Sequence, residues 1–423
     1  MSELQVVEIC AGAGGQSLGL ARAGFEHALA VELDESAAST LRHNLDRMDH
    51  GRADVRVGDV ADPEVWKPVD FAEPDLLAGG VPCPPFSVAG KQLGSADERD
   101  LFAWAVELAG QMQPKALLLE NVRGLSTPRF SGYRQAIADR LEELGYWSEW
   151  KLLHASDFAV PQLRPRFVLV ALHHEYAGHF DWPDPDPAVT TVGDALRDLM
   201  GANGWKYSDK WADLAQDIGP TIVGGSKKHG GADLGPTRAR AGWAKLHVDG
   251  RGVADEAPSR AEVSFRTKMP RLTNEMVARV QGWGNPGYEW EFLGRKTSVY
   301  RQIGNAFPPP VAEAVGTSIA RALRKEGVAR DVVPNSVAHD EVYKLLRAAD
   351  GTLTESAIAA KLGLSTDEVS RRINILERDF ALVVAGATGD REVALGPFRA
   401  FRGQADHHRH EAFAERRRRS RVS

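Results

Sequence analysis

Cys83 lies between Pro82 and Pro84 in the stretch Gly79–Ser87 (GGVPCPPFS), in a chain with only two cysteines. Each proline fixes its own φ and pushes the residue before it toward extended geometry, so the thiol rides on a stiff segment that cannot join a helix. Just upstream, Pro74–Ala78 is short, apolar and bounded by turn formers, which predicts a buried strand ending at Gly79. A thiol at the carboxyl end of a buried parallel strand stands where α/β proteins place ligand chemistry. A small buried residue in a turn is the ordinary alternative, and this loop alone does not separate the two.

Other strand ends carry groups of the same kind. Leu4–Ile9 is apolar and stops at Cys10-Ala11-Gly12-Ala13-Gly14-Gly15, followed by a helical stretch at Ser17–Ala23. Strand, glycine turn and helix let backbone N–H groups approach a nucleotide-like ligand. The next strand, His27–Val31, ends at Glu32-Leu33-Asp34, and an acid about 20 residues past a glycine turn suits paired ribose hydroxyls. A third strand, Val55–Val57, ends in Gly58-Asp59. Glycine, acid and acid on one edge of a parallel sheet favour an adenosyl ligand. A phosphate loop is disfavoured because no Gly-Lys-Ser/Thr follows the glycines. A fifth strand, Lys115–Leu119, runs into Glu120-Asn121-Val122, where the glutamate either caps the next helix or serves the site. Gln162-Leu163-Arg164-Pro165-Arg166 separates strands at Trp150–Ala155 and Arg166–Leu172. Arginines in such a turn are ordinarily solvated, yet these precede a strongly apolar strand that can carry one of them inward.

The elements that must hold these groups come from a chain of 423 residues, enough for two or three domains. Hydrophobic content of 43% and charged content of 26% are those of a soluble globular protein. No apolar run approaches membrane-spanning length, and Met1–Leu4 leads straight into a strand without a basic or apolar leader. Two cysteines make neither a disulfide framework nor a zinc site, which points to a reducing cytoplasm and no metal. A net charge of −6 argues against a surface coated in nucleic acid and leaves room for a local basic groove.

Helices are predicted at Leu101–Gln113, Phe130–Leu144, from Thr273 through Gln281, and at Val311–Leu323. Between Trp182 and Pro270 periodicity is poor and glycine dense. There Lys227, Lys228, Arg238, Arg240 and Lys245 face only Asp233 across 221–245. This stretch reads as loop-like, with little core, and suits a nucleic-acid groove; a solvated insertion is the plain alternative.

In this order the blocks resemble the DNA (cytosine-5) methyltransferase family over residues 4–182 and 270–325. The resemblance is carried by Ala11–Gly15, by Pro82-Cys83 through Phe86-Ser87 and Gly90-Lys91-Gln92, and by Glu120-Asn121-Val122. It continues through Gln162, Arg164 and Arg166, then Leu272-Thr273 with Glu275, Arg279 and Gln281-Gly282, and finally Gln302, Gly304 and Asn305. Glu8, Cys10 and Trp283-Gly284 depart from the family pattern, and none touches the Pro-Cys loop.

The resemblance implies a Rossmann-like, S-adenosylmethionine-dependent methyltransferase fold with a mostly parallel seven-stranded sheet. Residues 1–182 and 271–325 would form the catalytic domain and 183–270 the target-recognition region. It implies transfer of a methyl group from S-adenosyl-L-methionine to C5 of a flipped-out cytosine in duplex DNA, with Cys83 bonding to C6. Glu120 would hold N3 and the 4-amino group, Arg166 would hold O2, and Arg164 would support the loop or a phosphate. Ala11, Gly12, Gly14, Gly15, Glu32, Leu33, Asp59, Val60, Pro82 and Asn305 would line the donor site, with Glu32 on the ribose and Asp59 on the adenine. Ser87, Lys91, Gln92 and Arg99 on the loop, and Lys227, Lys228, Arg238 and Arg240 in the insertion, would meet DNA. A cognate restriction endonuclease is the expected partner, and a monomer the expected state. A transfer-RNA cytosine-5 methyltransferase is a rival within the class. A regulator that binds DNA through the C-terminal region is a rival outside it.

That region follows a linker at 326–336. Helices at His339–Ala349, Thr354–Leu362 and Thr366–Glu377, with strands at Leu382–Ala385 and Glu392–Leu395, read as a winged-helix-like domain spanning 337–397. Ser370, Arg371, Arg372 and Asn374 would face a groove. Residues 398–423 form a basic tail that reads as disordered.

Overall fold

A computed structural model of the chain describes residues 3–48, 53–81, 101–186, 188–224, 231–332, 340–386 and 390–398. The first half alternates strand and helix: β1 (Leu4–Ile9), α1 (Gly15–Arg22), β2 (Phe25–Glu32), α2 (Glu35–Arg47), β3 (Asp54–Val57), β4 (Leu76–Gly79), α3 (Leu101–Met112), β5 (Ala116–Val122) and α4 (Ser131–Glu143). A hairpin follows, β6 (Tyr146–His154) and β7 (Pro165–His173), and then the short α5 (His174–Ala177). Seven strands make one sheet in the order β3-β2-β1-β4-β5-β7-β6. All neighbours run parallel except β7, which is antiparallel to both β5 and β6. The central strands are buried on both faces, as parallel strands covered by helices must be. α3 and α4 pack Trp104, Ile137 and Leu141 against Val7, Leu77 and Leu117, while α11 (Pro309–Leu323) packs Val315 and Ile319 against Val6, Leu76 and Leu118 on the other face.

Element ends shift by a few residues from the sequence expectations. The helix after the glycine turn starts at Gly15, before Ser17, and β6 starts at Tyr146, before Trp150. β5 continues through Glu120, because Glu120 and Val122 pair in register with Val168 and Arg166 of β7. Glu120 caps no helix: the 3-10 turn at Arg123–Ser126 has no side-chain cap.

The insertion differs more. It holds α6 (Val192–Gly201), α7 (Ser208–Ala212) and α8 (Thr237–Lys245), and the chain returns through α9 (Asn274–Val280) and α10 (Lys296–Asn305). The expected loop-like, coreless stretch is corrected, since Trp205, Trp211, Trp243 and Phe265 are buried together in one cluster with residues of α9 and α10. α7 and α8 are too short to show a period, but each buried tryptophan hides ~150–250 Å² of surface, enough to order a glycine-rich segment.

The C-terminal unit comprises α12 (Glu341–Arg347), β8 (Leu353–Thr354), α13 (Glu355–Leu362), α14 (Thr366–Leu376), β9 (Val383–Ala385) and β10 (Glu392–Ala394), with an antiparallel sheet ordered β8-β10-β9. It sits directly on α4. Arg129 pairs with Asp379 at 2.9 Å, Ser131 donates to Asp340 at 2.7 Å, and Arg347 pairs with Asp139 and Glu143. On α14, Ser370 donates to Glu355 and Asn374 accepts from Arg391, while Arg371 and Arg372 pair with Glu368 of the same helix and Arg371 stays exposed.

Candidate active site

A cavity of about 460 Å³ opens at the carboxyl edge of the sheet, where β1, β2, β3 and β4 all end. Ala11, Gly12, Gly15, Glu32, Leu33, Asp59, Val60 and Asn305 all line it. The glycine turn makes room for it. Gly12 adopts a φ of 59°, and a Cβ on Gly15 would lie 2.3 Å from the main-chain oxygen of Phe307. Glu32 is fixed rather than free. Its Oε2 accepts from Gly12 N and its Oε1 from Asp34 N, each at 2.8 Å, and burial pushes its carboxyl above the usual range.

Gly14 departs from expectation. It does not line the cavity. With φ 98° it caps α1, and a Cβ there would lie 2.3 Å from the ring of Trp290. The Trp290 indole N–H donates to Ala13 O at 2.9 Å, so the tryptophan braces the glycine turn from behind. Sequence reasoning missed Trp290, for nothing in its neighbourhood marks it. It also gave no place in the donor site to Gln16, Gly80, Ser298, Arg301 and Gln302, all on the cavity wall. The last two were legible, since positions 298, 301, 302 and 305 share one face of α10.

On the cavity wall Glu120 forms a buried ion pair with Arg166. The next residue, Asn121, donates its side-chain N–H to Val81 O at 3.1 Å. Glu120, Arg166 and the chain entering the Pro-Cys loop are thereby brought together. Pro82, Cys83, Ser87, Lys91, Gln92 and Arg99 lie outside the described residues, as do Lys227 and Lys228. Arg238 and Arg240 lie on α8, with Arg238 exposed and Arg240 half-buried.

Arg164 is a correction. Its guanidinium is 1% exposed and donates to the main-chain oxygens of Ile222 and Gly304 at 2.8 Å and of Ala306 at 2.7 Å. It therefore supports backbone: Arg166, inside β7, reaches Glu120, while Arg164, one residue ahead of the strand, is held by those three carbonyls at the seam with the insertion. Gln162 works at the same seam, accepting from Ile222 N at 2.7 Å. Glu8 is buried too, accepting from Ser17 Oγ at 2.6 Å and facing His27 Nε2 at 2.8 Å, and Cys10 on the cavity wall has its thiol pushed up by burial and by Glu32.

The profile of C-5 cytosine-specific DNA methylases matches residues 4–321. The chain belongs to the C-5 cytosine-specific DNA methylase family. It is 57% identical over 420 residues to the Type II methyltransferase M.NaeI of Lentzea aerocolonigenes, covering 99% of each chain. It is 48% identical over 324 residues to M.NgoMIV of Neisseria gonorrhoeae, covering 76% of this chain and 98% of that one. A solved structure of Spodoptera frugiperda DNMT2 shares the fold with a TM-score of 0.50 at 16% identity, over 75% of this chain and 99% of the other. The protein is thus a DNA (cytosine-5) methyltransferase, an enzyme of Rossmann-like architecture with a mostly parallel sheet. The family implies S-adenosylmethionine as methyl donor, and the cavity fits it. Carboxylates end β2 and lie beyond β3, and the turn at Gly12 and Gly15 leaves backbone exposed between them. Among the described residues no cluster of three or more His, Cys, Asp or Glu could hold a metal, and no helix is long and apolar enough to cross a membrane.

Proposed function

We propose that the enzyme methylates C5 of a cytosine flipped out of duplex DNA, through a covalent bond between Cys83 Sγ and C6. The observation that carries this reading is the buried Glu120–Arg166 pair, with Glu120 on the wall of the cavity and Asn121 anchoring Val81 two residues before the cysteine. C5 is too weakly nucleophilic to take a methyl group unaided. Attack by the Cys83 thiolate on C6 moves the C5–C6 π electrons onto C5 and toward N3. Glu120, bonded to N3 and the 4-amino group, balances that charge, and Arg166 holds O2. Fixed groups of this kind, aimed at charge that develops during reaction, are usually the largest catalytic contribution. S-adenosylmethionine supplies an electrophilic methyl group when bound. Water then removes the C5 proton, the C5–C6 double bond re-forms and the thiolate leaves. None of these atoms is reachable in a stacked duplex, so the base must leave it.

In the donor site Glu32 receives the ribose hydroxyls and Asp59 the adenine amine, with Gly12 beside the methionine portion. The basic residues of the insertion, Arg238 and Arg240 among them, follow the DNA backbone. Relatives of this likeness are named Type II methyltransferases, which supports a restriction-modification role with a cognate endonuclease. Residues 183–270 serve as the target-recognition region, and 337–397 as a winged-helix-like accessory. Duplexes carrying 5-fluorocytosine test the reading, since fluorine cannot be removed as a proton. Wild-type enzyme should give a denaturation-resistant protein–DNA adduct that Cys83→Ala does not form. No adduct in any sequence context would reject the covalent route.

A further inference from the structure

Gln16 opens α1 and lines the donor cavity, yet its side chain has no partner of its own. The residue is 3% exposed, and neither Oε1 nor Nε2 makes a hydrogen bond with the described residues. A buried carboxamide left in this state is costly, because it has given up water for nothing. Its place in the cavity is defined. A Cβ built on Gly80 would stand 3.6 Å from Glu120 Oε2, 3.8 Å from Cys10 O and 4.0 Å from Gln16 Oε1. Gln16 therefore faces the end of the cavity nearest Glu120. Glu32 and Asp59, the groups suited to hydroxyls and an amine, belong to the ends of β2 and β3.

We infer that the Gln16 carboxamide receives the amino-acid end of the methyl donor, Oε1 accepting from its ammonium and Nε2 donating to its carboxylate. This rests on the donor site proposed above and adds a group to it. The chemistry matches. A carboxamide carries an acceptor and donors side by side, and a zwitterionic amino acid offers the complementary pair. With the adenosine held at Glu32 and Asp59, the amino-acid portion extends toward Gly80 and Glu120. That is also the direction in which the transferable methyl must point to meet the base. A bound donor would relieve both orphaned atoms at once, so the site is stored as an unsatisfied hydrogen-bonding group rather than as a salt bridge.

Gln16→Leu keeps the size of the side chain and removes both polar atoms, and two ligands separate the possible causes. S-adenosylhomocysteine has the amino-acid end; 5′-methylthioadenosine has the adenosine and sulfur without it. By titration calorimetry without DNA, wild type should bind the first tightly, and Gln16→Leu should weaken it about tenfold or more, the cost of two lost hydrogen bonds. Affinity for 5′-methylthioadenosine should stay within about twofold, and the ligand-free variant should melt no lower than wild type because an unsatisfied buried group has gone. Equal weakening of both ligands, or a drop in ligand-free melting temperature with unchanged affinity, would each overturn the assignment. Failure of wild type itself to bind S-adenosylhomocysteine would instead reject the donor site on which the inference rests.

Discussion

The side-chain N–H of Asn121 donates to the main-chain oxygen of Val81 across 3.1 Å, tying the end of β5 to the segment that leaves β4. The residue after Glu120 thus holds the chain two residues before the proposed nucleophile, and both are buried. Asn121→Ala should lower kcat about tenfold or more, since small misplacements of a reacting group are expensive, while donor affinity stays within about threefold. Single-turnover methyl transfer measured beside donor titration checks this.

Arg166 and Arg164 lie two residues apart and should fail differently. Arg166→Lys keeps a charge and loses the planar fork, so kcat should fall by ~10²–10³ with little change in melting temperature. Arg164→Met leaves the carbonyls of Ile222, Gly304 and Ala306 without their donor in a buried seam. That should destabilise the protein by about 2–4 kcal/mol, as urea unfolding would register.

Glu32 gives the pH dependence. Burial raises its carboxyl above the ordinary range despite the N–H groups of Gly12 and Asp34, so it takes up a proton at a higher pH than a solvated glutamate. Ribose hydroxyls are best received by the ionised form. Donor affinity should therefore be full at neutral pH and decline on acidification while exposed carboxylates are still charged. Glu32→Gln should bind more weakly at neutral pH and lose this acid limb, read from the dissociation constant between neutral pH and the raised pKa.

Trp290 offers a graded test. Trp290→Phe keeps most of the ring behind Gly14 and removes the hydrogen bond to Ala13, so donor affinity should fall about three- to tenfold. Trp290→Ala also opens a void behind the glycine turn and should cost more in affinity and in stability. DNA affinity should hold in both, measured by fluorescence anisotropy at fixed salt.

Much of this site is legible in the sequence because the groups sit at strand ends, and strand ends are marked by local signals. The apolar run Leu4–Ile9, the glycines after it and the acids Glu32 and Asp59 announce their own positions. What stays hidden depends on tertiary contact. Trp290 reaches Ala13 from far along the chain, and nothing near it reports that. Gly14 looks like a ligand-facing glycine and serves a φ of 98° and a tryptophan. Arg164 and Arg166 are indistinguishable as letters; only their places before and within β7 send one to the seam and the other to Glu120. The insertion conceals its core because its buried tryptophans, Trp205, Trp211 and Trp243, come from two short helices and a loop, far apart in sequence.

β7 threads between β5 and β6 in the reverse sense, and this sets Glu120 and Arg166 diagonally across one ladder, Val122 standing opposite Arg166. Acid and cation are therefore spaced by backbone hydrogen bonds that no loop rearrangement can stretch. The grip proposed for the pyrimidine edge is thus set by strand register, ahead of any contact with DNA.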